Sequence, residues 1–279
     1  MKEQIISRTF DEERALYNLK SADVVECTFA GPSDGRDISV QKCNFSLRYP
    51  LWHAQDFKLI ESTLDEKTRA PIWYSYGGSI IDCKIDGIKC LRECSKTEII
   101  RCKISSPEFG WKCRELSIYD SEINSEYFLF ESSNVKINHL HMSGKYSFQY
   151  MENVTITNSV LDTKDAFWHS KNVTVTDSDV RGEYLGWFSE GLTLINCRIS
   201  GTQPLCYCKN LKLVNCRMED TDFSFEYSDV DADIIGNILS VKNPRSGRIV
   251  ADSIGEIIWG DAVMDCSGEV VIRSKLTNE

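Results

Sequence analysis

Hydrophobic and polar positions alternate along most of this chain, and the pattern restarts about every nineteen residues. Leu192-Thr-Leu-Ile-Asn-Cys-Arg-Ile199 is followed nineteen residues on by Leu211-Lys-Leu-Val-Asn-Cys-Arg-Met218. At the same interval it is preceded by Val173-Thr-Val-Thr-Asp-Ser-Asp-Val180 and Val154-Thr-Ile-Thr-Asn-Ser-Val-Leu161. Further starts fall at Val135, Leu116, Thr97 and Gly78, then at Phe57 after a two-residue insertion. Ile38, Ala22 and Glu3 open looser units, and Val230 opens a degraded one. The first, third and eighth positions are mostly Ile, Val, Leu or Met, the period-two, β-branched pattern of a strand. A second strand is predicted later in each unit, as in Tyr49-Pro-Leu-Trp-His53, Tyr127-Phe-Leu-Phe-Glu131 and Tyr184-Leu-Gly-Trp-Phe188.

A short repeat with two or three strands and no helical period is one coil of a solenoid. The predicted fold is a single-stranded right-handed parallel β-helix of about 12 coils, with like positions stacked at the parallel strand spacing of ~4.8 Å. Residues 1–279 are read as one such domain. In it, 1–21 form an N-terminal coil or cap, 22–248 the regular coils, and 249–279 a degraded coil and C-terminal cap. A leucine-rich repeat is set aside because the Leu-x-x-Leu-x-Leu register and a helix per unit are missing. Asn134, Asn153, Asn172 and Asn210 close their units, and asparagine suits a turn because it tolerates left-handed geometry.

Stacking changes how the twelve cysteines are read. Nine fall in two ladders of small residues, one through Cys27, Cys43, Cys83, Cys102, Cys197 and Cys216, the other through Cys94, Cys113 and Cys208. Buried free cysteine there acts as a small hydrophobe. The repeat sets Cys90 and Cys94 six coils from Cys206 and Cys208, so they cannot converge on one ion, and no metal or cofactor is expected. His53 and His169 share a register six coils apart, and His139 and His141 are expected at the surface. Trp52, Trp111, Trp168 and Trp187, alternating with small residues, are expected to point inward and fill the lumen.

If they do, their neighbours point outward and make an unusually aromatic face: Tyr49, Leu51 and His53 in one coil, Tyr146, Phe148 and Tyr150 in another, and Asp165, Phe167 and His169 in the next. Such a strip suits a binding or assembly surface. Asp165 and Glu183 stand one coil apart and are the candidate catalytic pair, acid and nucleophile of a glycosidase. Lys164, Tyr146, Tyr150, His169, Tyr184, Tyr207 and Glu226 are the candidate substrate-binding residues. The plainer alternative is a Lys164–Glu183 salt bridge with tyrosine packing, on a non-catalytic scaffold that oligomerises. A second outward row, Lys84, Lys103, Glu122, His141, Asp179, Arg198 and Arg217, is expected to be merely solvated. Beside it Ile60, Ile81, Ile100, Ile195 and Val214 form an apolar row suited to cover by a terminal segment or another subunit.

Composition narrows the partners. The formal net charge is −10, and an acidic surface repels phosphate backbones, so no nucleic acid is expected. No window is apolar enough for a membrane span. The N-terminus carries no apolar signal segment, which points to the cytoplasm and to reduced thiols. A carbohydrate and a second copy of the chain are the expected partners.

Several motifs carry a resemblance: Glu13-Arg-Ala-Leu-Tyr17, Tyr49-Pro-Leu-Trp52, Arg69-Ala-Pro-Ile-Trp-Tyr74, Lys164-Asp-Ala-Phe-Trp168, Gly182-Glu-Tyr-Leu-Gly-Trp187, Phe225-Glu-Tyr-Ser228 and Asn243-Pro-Arg-Ser-Gly247. With them, nearly the whole chain resembles an uncharacterised bacterial family of pectin-lyase-like right-handed β-helix proteins. The resemblance implies the fold and a bacterial cytoplasmic origin, and it implies no reaction. The wider superfamily contains polysaccharide lyases and glycoside hydrolases, but a fold hosts many functions. The chain shows neither their secretion signal nor the acidic calcium cluster of pectate lyases.

Overall fold

In a computed structural model, residues 2–12, 15–29, 34–46 and 48–273 are described. Glu13 and Arg14 of the first motif lie outside them. The regular elements among the described residues are twenty-five β-strands, stacked in parallel within each unit as turns of a β-solenoid. The chain divides into two compact units, residues 1–142 and 143–279.

In the first unit the strands Glu3–Ile6, Lys20–Val25, Arg36–Gln41, Lys58–Ile60, Ser79–Ile81 and Ser95–Ile100 pair in parallel, each with the next. The register is the one the repeat dictates: Ala22 opposite Ile38, Val40 opposite Leu59, Leu59 opposite Ile80, Ile80 opposite Ile99. Val24, Val40, Leu59, Ile80, Ile99 and Ile118 therefore form one buried row. Phe45, Leu64, Ile85, Ile104 and Ile123 form another on the second, shorter strand of each coil.

The second unit repeats the arrangement with Glu152–Thr157, Lys171–Thr176, Thr193–Ile195 and Leu211–Glu219, again in steps of nineteen: Val154 opposite Val173, Leu194 opposite Leu213. The step then changes. Val230 lies opposite Gly247, and Arg248 opposite Glu269, with register shifts between Leu213 and Cys216 and between Ile234 and Asn237. The strands Ser246–Ile258 and Glu269–Ile272 thus extend the parallel stack beyond Val230. These turns are invisible to a fixed nineteen-residue spacing, because bulges shorten one coil and a loop lengthens the next.

The two small-residue ladders are buried as expected. Their chemistry has a second use, since several of the serine side chains reach the backbone of a neighbouring coil. The Cys43, Cys102 and Ser159 amides donate to Ser62, Ser121 and Ser178 Oγ at 3.1, 3.0 and 3.0 Å. In the other ladder the Ala54, Cys113 and Cys208 amides donate to Ser75, Ser132 and Ser228 Oγ at 3.1, 2.9 and 2.9 Å. Ser and Cys are small enough for the corner and can still satisfy a buried amide there. Burial pushes the thiols of Cys43 and Cys208 up to about 11, so at neutral pH they are inert packing groups.

The expectation for the tryptophans is corrected. Trp52, Trp73, Trp111, Trp168 and Trp187 are half-buried on the outside. The lumen beside them is filled instead by Leu51, Ile72, Leu91 and Leu129 in the first unit and by Phe148, Phe167, Leu205 and Phe225 in the second. The segment read as a second strand is largely a turn in which alternate residues adopt left-handed backbone, such as Asp165, Phe167 and His169 at φ 54, 63 and 54°. Period-two alternation holds only for extended chain, so the turn moves Phe167 inward and leaves both Trp168 and His169 outside. Left-handed backbone is strained for residues with a Cβ. The stack enforces it by bonding each amide in turn. Asp165 N donates to Glu183 O at 2.8 Å, Phe167 N to Ser147 O at 3.0 Å and His169 N to Trp187 O at 3.0 Å.

The indole N–H groups clamp the same corners. Trp52, Trp73, Trp111, Trp168 and Trp187 Nε1 donate to the carbonyls of Ala70, Lys89, Tyr127, Tyr184 and Gln203 at 2.5 to 3.0 Å. Trp52 stacks on Trp73 (5.3 Å, 7°) and Trp168 on Trp187 (5.5 Å, 6°). The asparagines also act as expected: Asn172 Nδ2 donates to Asn153 Oδ1 at 3.2 Å, both left-handed. A further polar ladder runs Asp177, Asn196, Asn215 with bonds of 2.9 and 2.8 Å. The solvated row holds ion pairs such as Lys103–Glu122 at 3.2 Å and Arg198–Glu219. His139 sits against Asp120 at 3.1 Å. Ile60, Ile81, Ile100, Ile195 and Val214 are half-buried.

Close stacking leaves no room for a side chain at glycines such as Gly182. Gly182 has φ +140°, and a Cβ there would stand 2.4 Å from Thr163 O and 2.9 Å from Lys164 N. Backbone cannot swing away as a side chain can. Gly182→Ala should cost about 2–3 kcal/mol of unfolding free energy, measured by urea denaturation. Gly260→Ala, where nothing lies within 4 Å, should change it by less than about 0.5 kcal/mol.

Candidate functional site

The aromatic face of residues 143–279 is assembled by the left-handed turns. Tyr150, His169, Phe188 and Tyr207 each stand two residues after a buried one, Phe148, Phe167, Gly186 and Leu205, and each has φ between 54 and 60°. Repetition of one backbone shape in successive coils puts the four rings over one another. Tyr150 stacks on His169 (5.0 Å, 13°), His169 on Phe188 (5.0 Å, 8°) and Phe188 on Tyr207 (4.8 Å, 16°). The rings therefore cover each other's faces and turn their edges to solvent. Tyr150 and Phe188 remain 47% and 43% exposed.

The column continues to Tyr227, tilted at 5.6 Å from Tyr207, and not to Glu226. One extra residue enters between Leu205 and Phe225, so Phe225 takes the inward place and Tyr227 the next outward one. Glu226 is drawn instead to Lys242 at 2.9 Å, whose ammonium lies 5.8 Å from the Phe223 ring. That carboxylate hydrogen bond holds the Lys242 ammonium above its usual range. Burial, and then the Glu226 charge, raise the Tyr207 phenol.

The candidate catalytic residues stand close but in unlike surroundings. Asp165 is buried, Glu183 exposed. Asp165 belongs to the left-handed turn, with its carbonyl accepting from Gln149 Nε2 at 3.0 Å. Burial raises the Asp165 carboxyl above its ordinary range, with Lys164 opposing and the Glu183 charge reinforcing the shift. Glu183 lies 3.9 Å from Lys164 Nζ, both partly exposed, a solvated contact that contributes little. Tyr184 is half-buried and packs edge-on against Trp187 (5.3 Å, 73°). Tyr146 is half-buried, its amide donating to Lys164 O at 3.0 Å. Chemically, the arrangement is one raised, buried carboxyl beside one solvated carboxylate, flanked by a column of ring edges. Phe188, at the centre of the column, was absent from the expected binding residues. Its place nineteen residues from both His169 and Tyr207 was the signal for it.

A pocket of about 490 Å³ in residues 1–142 is lined by Gly77, Gly78, Ser79, Lys96, Glu98, Glu115, Ser117 and Lys136 among others. Gly78 makes room there for the buried Phe57 ring, since a Cβ on it would stand 2.2 Å from that ring. Among the described residues no group of three His, Cys, Asp or Glu side chains is placed to hold a metal ion. No helix there is long and apolar enough to cross a membrane.

Several solved structures align with the chain over most of its length. A surface adhesin of Streptococcus pneumoniae is 11% identical, with 96% of this chain and 80% of that chain covered at a TM-score of 0.38. The A-module of an Azotobacter vinelandii mannuronan C-5 epimerase is 11% identical, with 97% and 87% covered at 0.35. A tailspike protein of the E. coli bacteriophage HK620, solved with a hexasaccharide, is 7% identical, with 92% and 67% covered at 0.32. No curated protein matches the chain. Residues 3–272 match the family described as "Protein of unknown function (DUF3737)", and the chain belongs to that family.

Proposed function

We propose that this protein is a non-catalytic β-helix that acts by binding, with the edge-on aromatic column Tyr150–His169–Phe188–Tyr207 as its contact surface and a second copy of the chain as the partner to test first. The observation that carries this is the stacking itself. Sugars pack on exposed ring faces, and here the faces are spent on neighbouring rings at 4.8 to 5.0 Å. What remains outside is a strip of ring edges, apolar at Phe188 and bearing phenol or imidazole groups on either side, which suits a protein contact rich in aromatic residues. The acid pair weighs the same way, since Asp165 is buried and a glycosidase nucleophile must reach the sugar.

A carbohydrate chain laid along the column is the second reading. It is favoured by the solvated Lys164 and Glu183 on the flank and by the tyrosine hydroxyls at positions 150 and 207, which can bond sugar hydroxyls. On this reading Tyr146, Tyr184 and Glu226 would bind alongside.

Light scattering of the purified chain separates the two. A dimer at micromolar concentration that becomes monomeric in Phe188→Glu, with the unfolding midpoint unchanged, supports the contact surface. A monomeric wild-type chain that retains an oligosaccharide on a glycan array, and loses it in Phe188→Glu, supports the second reading and overturns the first.

Asp165 yields a pH test. Below the ordinary aspartate range it is protonated in folded and unfolded chains alike and costs nothing. As pH rises the unfolded chain ionises first, so stability falls, until Asp165 ionises in the fold as well and the penalty levels off. Asp165→Asn should therefore be more stable than wild type at pH 7, with the difference vanishing near pH 3, as read by denaturation at each pH. A hydrolytic role would instead require activity that this variant abolishes.

A further inference from the structure

The motifs Tyr49-Pro-Leu-Trp52 and Arg69-Ala-Pro-Ile-Trp-Tyr74 build a cavity of about 360 Å³ lined by Arg48, Tyr49, Trp52, Arg69, Ala70, Trp73, Ile88 and Lys89. We infer that this cavity is a binding site for a small oxyanion carried on a sugar-sized ring, held by the guanidinium groups of Arg48 and Arg69.

The backbone makes the site. Arg48 and Arg69 are bridge partners in adjacent coils, and Arg69 in turn pairs with Ile88. Like charges directly opposite on neighbouring strands repel, and the parallel spacing holds these two only ~4.8 Å apart along the stack. Both side chains are exposed. The chain carries 42 acidic residues against 32 basic ones, and Arg101, Arg181, Arg198 and Arg245 each take a carboxylate partner. Among the described residues neither Arg48 nor Arg69 has one. Two adjacent guanidiniums with free donors match a carboxylate or phosphate, which each can bind bidentately.

The walls set the rest of the ligand. In register, Ala70 puts a methyl group where the coils on either side carry Tyr49 and Lys89, which opens the notch. Trp52 and Trp73 are locked, stacked at 5.3 Å with both indole N–H groups committed to carbonyls. Tyr49 leans on Trp52 at 4.6 Å and 59°. Arg92 lies over the Trp73 ring at 4.6 Å, so this aromatic wall is rigid before any ligand arrives. Lys89 already faces Glu108 at 3.6 Å and contributes field more than a bond. The volume lies near the lower end of small-molecule pockets, which fits one ring and its anion. Carboxylate and phosphate share this chemistry, and the probes tell them apart.

Titration calorimetry of the full chain with glucuronate and with glucose 6-phosphate tests the site, with glucose and inorganic phosphate as controls. One or both anionic sugars should bind, glucose should not, and inorganic phosphate should bind at least tenfold more weakly than glucose 6-phosphate. Arg69→Gln should weaken binding tenfold or more, and the double variant Arg48→Gln, Arg69→Gln should abolish it. Arg101→Gln, a solvated arginine paired with Asp82, should leave it unchanged and shows that net charge is not the cause. Binding of the anionic sugars undiminished in the double variant, or no binding of either at millimolar concentration, would overturn the inference. So would equal affinity for inorganic phosphate and glucose 6-phosphate, since the aromatic wall would then contribute nothing.

Discussion

Parallel hydrogen bonding between like positions of successive coils is the interaction on which every other feature of each unit depends. It forces a residue to sit over its counterpart nineteen positions away, as Val154 sits by Val173 and Thr174 by Thr193. Once that is enforced, a side chain is chosen less for its own surroundings than for what it meets above and below. Small residues stack at the corners because a large one repeated in every coil would not fit. Asparagines stack because each amide can bond the next, and aromatic rings stack because flat groups tolerate the spacing.

The same bonding supports backbone that would be strained in isolation. Left-handed residues recur at Tyr146, Phe148 and Tyr150, at Asp165, Phe167 and His169, and at Tyr184, Gly186 and Phe188. A single turn of this kind would relax in a lone hairpin. In the latter two turns the amides are bonded alternately to the coil on either side, so the left-handed backbone cannot relax without breaking bonds to both. The aromatic column is a consequence of this geometry, which aligns rings face to face and fixes what they offer to a partner.

The two candidate surfaces differ because the register fills differently around them. Around Tyr150 to Tyr207 every coil supplies a ring, and the faces are consumed internally. Around Arg48 and Arg69 a two-residue insertion precedes Phe57's successor unit and one coil supplies only Ala70, so charge and space are left over. A surface of matched residues suits a broad contact, whereas an interruption in a ladder makes room for a small molecule.

Much of this was legible in the sequence. The spacing of Leu192 and Leu211 alone determined parallel stacking, the buried Val, Ile and Leu rows, and the use of cysteine as a small packing group, because strand alternation and a constant period are local properties. The direction of the turn residues was not legible. Leu51 and Phe167 face inward while Trp52 and Trp168 lie outside, since left-handed backbone breaks the alternation that orientation was read from. The turns after Val230 and the exchange of Glu226 for Tyr227 were lost to bulges and to one inserted residue. Whether Asp165 meets solvent, and whether Arg48 meets a carboxylate, depends on neighbours supplied by other coils. Those are decided only when the chain is wound, because a period states which residues align and not which way their side chains then point.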